Sequence, residues 1–576
     1  MRSISAQLIL TATLAHCASQ VPILNDFREA KVITEELSSY IQGQLQANNV
    51  TGLSLGIVLP NGGVEFAAWG NRTETGDAVT PETIFHIGSC SKAFLSASLG
   101  ILMQDFTDGK NTSALPDTVS EFNWDTKMRD ILPDEWMVED EWTTEKADLK
   151  DLLSHVTGLP SHDLSYSPDD SARDVVVRMR HLRAAYELRK VNEYNNQMFI
   201  VGAHIVSTYS GMSYRDFVEK RILLPLGMVS STLHPDRAFE TGRLTQSFTT
   251  SLRRVPFFMP EHVADLIAGA GVVMSTVEDM TRWIKAHLNS GVDVQSNTTI
   301  IPRSTFELAT SAVSLSDSIG DGLVSISGYG LGWGRLSYRG HERVRHAGGA
   351  PGVDSIVAFY PHDGLGIVAL ANTMTTTSVV RDIADTVADR ILGLPSISRP
   401  AANEAALDLE VPLDVPPPPM LSGFTGTYSN PGYGNFTLCS PLFPSSPQCL
   451  AVVQDFRTVD AAAGISSRPT DLFSAWPRFW GSHLRLSAVS GSQNDYTSAV
   501  SQNDYTYTMV LTKLYVEGYG ADRTPFEDPA GAVTATFVEE KGQVVGLGLF
   551  VANNVSWRAK KGGSVRDIAD VWFNKL

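Results

Sequence analysis

At 576 residues the chain is longer than one hydrophobic core usually organises, so more than one domain is expected. Its 43% hydrophobic and 19% charged residues are those of an ordinary soluble globular protein. With 45 Lys and Arg against 63 Asp and Glu, the formal net charge of −18 argues against a nucleic-acid partner, which needs a basic face.

The N-terminus reads as a secretory signal peptide over 1–19. Arg2 precedes a mostly apolar run at 4–14, and small residues follow at Ala15, Cys17, Ala18 and Ser19. The run is too short to span a bilayer, as is the later apolar stretch 267–274, so a secreted protein without a membrane anchor is expected. Sequons at Asn49, Asn71, Asn111, Asn297, Asn435 and Asn554 agree with export and mark expected glycosylation sites. Of the cysteines, Cys17 leaves with the signal and Cys90 stands alone. Cys439 and Cys449 flank a proline-rich loop and could pair in an oxidising compartment. The chain has no paired C-x-x-C, no His-Cys cluster and no HExxH, so neither a metal site nor a cofactor is expected.

A helix is predicted at 29–46, where Val32, Ile33, Leu37 and Ile41 recur near helical spacing. A β-hairpin follows at 53–59 and 64–69, turning on Asn61-Gly62. The chain then runs from Thr83 into Ser89 and a buried helix at 92–104. Further helices are predicted at 149–153, 172–186, 196–209 and 214–221. Ser275-x-x-Glu278 reads as a capping box opening a helix through Leu288, closed by Gly291. Strands return at 332–336, 353–360 and 365–371, before a last helix at 378–392. Strands at both ends with helices between them predict one sheet flanked by helices, an α+β domain over 20–395. Pro395, Pro400, Pro412 and the run 416–419 then make a stiff linker, 396–420. Alternating segments at 435–438, 505–511, 533–539 and 544–551 predict a C-terminal all-β domain over 421–576. The near-tandem repeat at 487–506 is polar and reads as a surface loop.

Three short motifs carry chemistry. In Ser89-Cys90-Ser91-Lys92, positions three apart share a helix face, and Ser89 sits near the positive end of the helix dipole. A serine hydroxyl needs a neighbour to accept its proton, and a lysine does so only if burial or nearby charge lowers its pKa. The surroundings are apolar: Ile84, Phe85, Ile87, Ala93, Phe94 and Leu95. In Tyr194-Asn195-Asn196, the Tyr194 oxygen can relay a proton, and the Asn196 amide can hold both Lys92 and a substrate carbonyl. In His346-Ala347-Gly348-Gly349, small residues let a substrate lie against backbone, and the N–H of Gly349 with that of Ser89 could form an oxyanion hole. Each motif alone is weak. Tyr-x-Asn recurs at Tyr428 and Tyr433, and His-x-Gly at His86 and His362.

Order and spacing add what single motifs lack. Together they resemble the serine β-lactamase and penicillin-binding-protein family over about residues 30–395. The likeness extends to Phe85-His86-Ile87-Gly88-Ser89, to the segment from Leu152 to Pro160, to Ala268-Gly269-Ala270-Gly271, and to Tyr329-Gly330-Leu331-Gly332-Trp333. The resemblance implies a β-lactamase/transpeptidase-like antiparallel sheet with a helical subdomain, and a serine hydrolase acting through an acyl-enzyme. Ser89 would attack a carbonyl of a small-molecule or peptide-like substrate. Lys92 and Tyr194 would share the proton work, and which takes the serine proton is open. Phe424-x-Gly426-x-Tyr428 is similar to the first strand of the barrel-like C-terminal domain of some relatives, which can line or cover the active-site entrance. One departure matters. Class C β-lactamases begin the third motif with lysine, whereas His346 is mostly neutral near pH 7. That counts against efficient β-lactam turnover and resembles the esterase, D-aminopeptidase and transesterase branches.

Rival readings remain. Gly52-Leu53-Ser54-Leu55-Gly56 matches the α/β-hydrolase motif, but that motif needs a strand, an elbow and then a helix, and here the strand continues. A non-catalytic binding protein on the same fold is disfavoured by intact Ser89, Lys92, Tyr194 and Asn196. An acyltransferase of small-molecule biosynthesis stays open, because acceptor choice depends on pocket shape and water exclusion.

Overall fold

Leu53, Leu55 and Ile57 alternate with Ser54 and Gly56 along the strand Gly52–Val58, yet the whole strand is buried, so both faces of its sheet are covered. The computed structural model describes residues 31–375, 379–397, 421–444, 446–488, 504–553 and 556–576. The signal peptide, nearly all of the proline-rich linker, most of the 487–506 repeat and the Asn554 sequon lie outside the described residues.

The sheet has eight antiparallel strands, ordered Val64–Gly70, Gly52–Val58, Leu365–Ala371, Val353–Tyr360, His341–Ala350, Gly334–Tyr338, Ser327–Tyr329 and Ser314–Asp317. The N-terminal hairpin pairs with a late strand, Leu53 opposite Ala371, so both ends of the domain build one sheet as expected. Ser54 is a mid-strand residue, which removes the α/β-hydrolase elbow. Helices Glu35–Ala47 and Val379–Ile391 cover one face, where Leu37, Ile41, Ile383 and Val387 join Leu53, Leu55 and Ile57 in one apolar cluster. The helix Val277–Leu288 covers the other. Gly366 sets its approach, since a Cβ there would come within 2.3 Å of Ile284 Cγ2. On this helix Trp283 stacks on Phe94 with ring centroids 4.2 Å apart, which ties the sheet to the helix Lys92–Thr107. Thirteen of the 16 residues of that helix are buried, as an interior helix requires.

Several boundaries differ from expectation, three of them near the domain's helices. The first helix starts at Glu35, capped by Thr34. The cap before Val277 is Thr276, accepting from Asp279 N, one residue later than the Ser275 box. The helix expected to reach residue 186 ends at Arg178, and a 3-10 turn closes at His181. Beyond it the backbone serves the domain interface instead. The carbonyls of Ala184 and Ala185 accept from Arg558 Nε at 3.1 Å and Trp557 N at 3.0 Å.

The C-terminal domain is a nearly closed eight-stranded antiparallel sheet, ordered Gly434–Leu438, Gly426–Asn430, Val571–Lys575, Gln543–Phe550, Phe526–Glu540, Asp504–Tyr515, His483–Ala488 and Leu472–Ala475. The first and last strands meet where Cys439 and Phe473 exchange backbone hydrogen bonds of 2.8 and 2.9 Å. Tyr428, Phe436, Tyr507, Phe537 and Phe573 pack in its core. The domain also carries a 17-residue helix, Pro447–Ala463, absent from the sequence expectation. Its signals were local: Ser446 caps it, Pro447 opens it, and Gly464 ends it at φ 70°. The expected Cys439–Cys449 disulfide forms and pins the first turn of this helix to the barrel seam.

Candidate active site

Gly88–Ser91 is a 3-10 turn that feeds directly into the helix Lys92–Thr107. Gly88 holds φ +51°, and a Cβ there would lie 2.9 Å from Gly349 N. From the opposite strand, a Cβ on Gly348 would lie 2.1 Å from Ile87 O and 2.9 Å from Ser89 N. Only glycine at 348 lets the strand touch the nucleophile turn, and it brings the backbone nitrogens of Ser89 and Gly349 to one place. Ser355, paired with Gly348 in the ladder, adds a hydroxyl donated to Ile87 O at 2.8 Å.

Lys92 is fully buried while Ser89 is half-exposed. Lys92 Nζ donates to Ser89 Oγ at 3.0 Å, Asn196 Oδ1 at 2.8 Å and Ala270 O at 3.0 Å. Burial lowers its pKa to about 7, against the pull of the Asp163 charge, which favours the protonated form. The ammonium uses all three acceptors. A neutral amine has two N–H groups, so its lone pair is left for Ser89. Tyr194 is buried with its ring centroid 4.8 Å from Lys92 Nζ, and burial holds its phenol well above the usual range despite the Ser89 hydroxyl beside it. Tyr194 therefore keeps its proton at neutral pH, and Lys92 is the group able to accept one.

Asn196 is the first residue of the helix Asn196–Ser210, capped by Asn195, whose side chain accepts from Gln197 N at 2.8 Å. The Asn195 amide also donates to Pro160 O at 2.8 Å, and Asn195 N donates to His155 Nδ1 at 3.2 Å. The segment from Leu152 to Pro160 thus props up the Tyr194 loop. Asn196 Nδ2 donates to Asp163 Oδ2 at 3.0 Å, Tyr166 OH donates to Asp163 Oδ1 at 2.8 Å, and Trp480 Nε1 donates to Tyr166 OH at 3.2 Å. This chain runs from Lys92 to the C-terminal barrel.

The structure brings Ser89, Lys92, Tyr194, Asn196, Gly348 and Gly349 together. His346 also belongs to this region, with its ring centroid 6.4 Å from that of Tyr194, but its ring nitrogens are spent within the protein. Nε2 accepts from Tyr329 OH at 2.8 Å, and Nδ1 donates to Ala347 O at 2.6 Å. Burial, with Lys92 nearby, lowers its pKa to about 3, so it stays neutral. Cys90 is no rival nucleophile: burial pushes its thiol up to about 12. Asp163, Tyr166 and Trp480 escaped the sequence reading. No motif marks them, and Trp480 belongs to the other domain. The slot at Ser89 is lined by Gly88, Asn196, Phe258, Ala270, Gly349 and Trp480 among others, with no Lys or Arg. Among the described residues no cluster of His, Cys, Asp or Glu could hold a metal ion, and no helix is long and apolar enough to cross a membrane.

A serine one turn from a buried lysine, between an antiparallel sheet and a helical subdomain, is the arrangement of an active-site-serine hydrolase. The family model described as Beta-lactamase matches residues 37–390, and the chain belongs to that family, as a serine hydrolase. An unguisins hydrolase of Aspergillus campestris is 29% identical over 387 residues, which cover 62% of this chain and 69% of that protein. Penicillin-binding protein 4 of Amycolatopsis lactamdurans is 25% identical over 397 residues, 67% of this chain and 94% of that one. The solved structure of the octameric penicillin-binding protein homologue from Pyrococcus abyssi matches with TM-score 0.51 at 16% identity, over 94% of this chain and 99% of that chain. This last likeness spans both domains and concerns the fold.

Proposed function

We propose that the protein hydrolyses an ester or amide bond through an acyl-enzyme on Ser89, with neutral Lys92 as the base. The 3.0 Å contact between Lys92 Nζ and Ser89 Oγ, made by a fully buried amine, carries this reading. Ser89 Oγ loses its proton to Lys92 and bonds to the substrate carbonyl carbon. The oxyanion faces the N–H groups of Ser89 and Gly349. The bond to the leaving group breaks, and the leaving atom takes a proton through Tyr194, which Lys92 resupplies. Water then attacks the acyl carbon, gives a proton to Lys92, and the bond to Ser89 Oγ breaks as the hydroxyl recovers its hydrogen.

The absence of Lys or Arg from the slot lining and the neutrality of His346 favour esters and amides over β-lactams, whose carboxylate needs a cation. The Aspergillus campestris relative, named for hydrolysis of unguisins, supports a natural-product or peptide-like substrate. We also propose that the protein works outside the cell. The disulfide supports this, as do Asn49, Asn71, Asn111, Asn297 and Asn435, which are all exposed.

The test is intact-mass analysis of protein mixed with a p-nitrophenyl ester. The wild type gains the acyl mass and releases p-nitrophenol, and Ser89→Ala does neither while keeping its melting temperature. Turnover by Ser89→Ala at the wild-type rate refutes the assignment.

A further inference from the structure

The Ser89 slot adjoins a second cavity of about 300 Å³, with Asn196 and Trp480 lining both. The catalytic domain supplies Asp163 and Leu164 to its walls, and the barrel supplies Met509, Leu511, Val533 and Val551. We propose that this interdomain cavity is the subsite for the acyl group that Ser89 receives, and that it selects an apolar, carboxylate-free acyl group at least as large as an aromatic amino-acid side chain. The proposal rests on the hydrolase reading above.

The side of the site decides which part of the substrate enters. Tyr194, the proton donor to the leaving group, lines neither cavity and stands among His155 and His346, with ring centroids 4.4 and 6.4 Å away. The leaving group departs on that side, so the acyl group remains on the side of Asn196 and Trp480. The volume equals roughly ten waters, so it admits an aromatic side chain with room to spare. Walls of Leu, Met and Val gain from apolar burial. The one charged lining residue is Asp163, with no Lys or Arg to offset it, so an acyl group carrying a carboxylate is repelled. Trp480 is fixed as a wall. It donates to Tyr166 OH at 3.2 Å and stacks on Phe258 with ring centroids 5.1 Å apart.

The experiment compares kcat/KM for p-nitrophenyl acetate, phenylacetate and hemisuccinate, which share one leaving group. The wild type is expected to favour phenylacetate over acetate at least ten-fold and to disfavour hemisuccinate. Ala532, on the barrel wall of the cavity, is replaced in Ala532→Trp to narrow it. The phenylacetate-to-acetate ratio is then expected to fall at least ten-fold. Val533→Ala, which enlarges the cavity, is expected to raise kcat/KM for p-nitrophenyl diphenylacetate relative to phenylacetate, a second ratio that serves if the first variant does not fold. A wild type that hydrolyses acetate and phenylacetate equally, or folded variants that keep the wild-type ratio, overturns the subsite and leaves the hydrolase standing. A wild type that releases p-nitrophenol from no ester overturns both.

Discussion

The Asp163 carboxylate accepts a 3.0 Å hydrogen bond from the Asn196 amide, whose carbonyl holds Lys92 Nζ at 2.8 Å. Asp163 thus acts on the Lys92 amine through a neighbour and through its charge, which opposes the lowering of the Lys92 pKa.

Activity should rise with pH through about 7, as Lys92 loses its proton. Asp163→Asn removes the charge that favours protonated Lys92, so the acid limb of the kcat/KM profile moves to lower pH. The variant then keeps a larger share of its pH 8 rate at pH 6 than the wild type does. A limb that stays in place would show that Asp163 does not tune the base.

Lys92→Met should cost about 10³-fold in kcat, within the range for a lost general base. Its effect on stability has a defined sign. Lys92 titrates near 7 when folded, against 10.5 for the free side chain. Between those values the unfolded chain binds more protons, so this group makes the fold more stable as pH rises. Its destabilising effect is full below pH 7 and gone above about 10.5. The melting temperature of Lys92→Met relative to wild type should therefore be highest near pH 6 and decline toward pH 10, as thermal melts would show.

Tyr194→Phe separates leaving groups. The raised phenol pKa keeps Tyr194 protonated at neutral pH, so a proton is present for a leaving group that needs one, whereas p-nitrophenolate leaves without one. The variant should lose about 10²-fold on an amide such as a p-nitroanilide and much less on the matching p-nitrophenyl ester. Equal losses on both would remove Tyr194 from leaving-group protonation.

Nitrocefin should be a poor substrate. A charge-assisted hydrogen bond to a carboxylate contributes about 1.5–3 kcal/mol, and the slot lining supplies no Lys or Arg for one. Steady-state kcat/KM for nitrocefin should lie below that for p-nitrophenyl acetate, for want of that interaction.

Neighbouring glycines should respond differently to alanine. Gly348→Ala would drive a Cβ to 2.1 Å from Ile87 O, which is backbone and cannot yield without shifting the Ser89 turn. At Gly349 the nearest atom is Met374 Cε at 3.3 Å, the far end of a flexible side chain. Thermal melts should show a large drop for Gly348→Ala and a small one for Gly349→Ala.

Much of this protein is local, and the local part was legible in the sequence. The Asn61-Gly62 turn marked the N-terminal hairpin, and short apolar runs at 53–59 and 365–371 marked strands, because both signals depend only on neighbouring residues. Ser89 and Lys92 share a face because they stand three apart at a helix head, whatever the rest of the chain does. The 447–463 helix was missed although its cap, proline and closing glycine were present, because strand patterns around it dominated the reading.

The tertiary structure decided everything that depends on burial or on distant segments meeting. The motif offered both Lys92 and Tyr194 as the base. Desolvation separates the two, lowering an amine's pKa while raising a phenol's, and only packing determines how much water each loses. His346 was legible as a residue, but the Tyr329 hydroxyl that occupies its Nε2 came from another strand. Trp480 reaches the site from the other domain, 391 positions after Ser89 in the numbering, a distance over which no periodicity carries information.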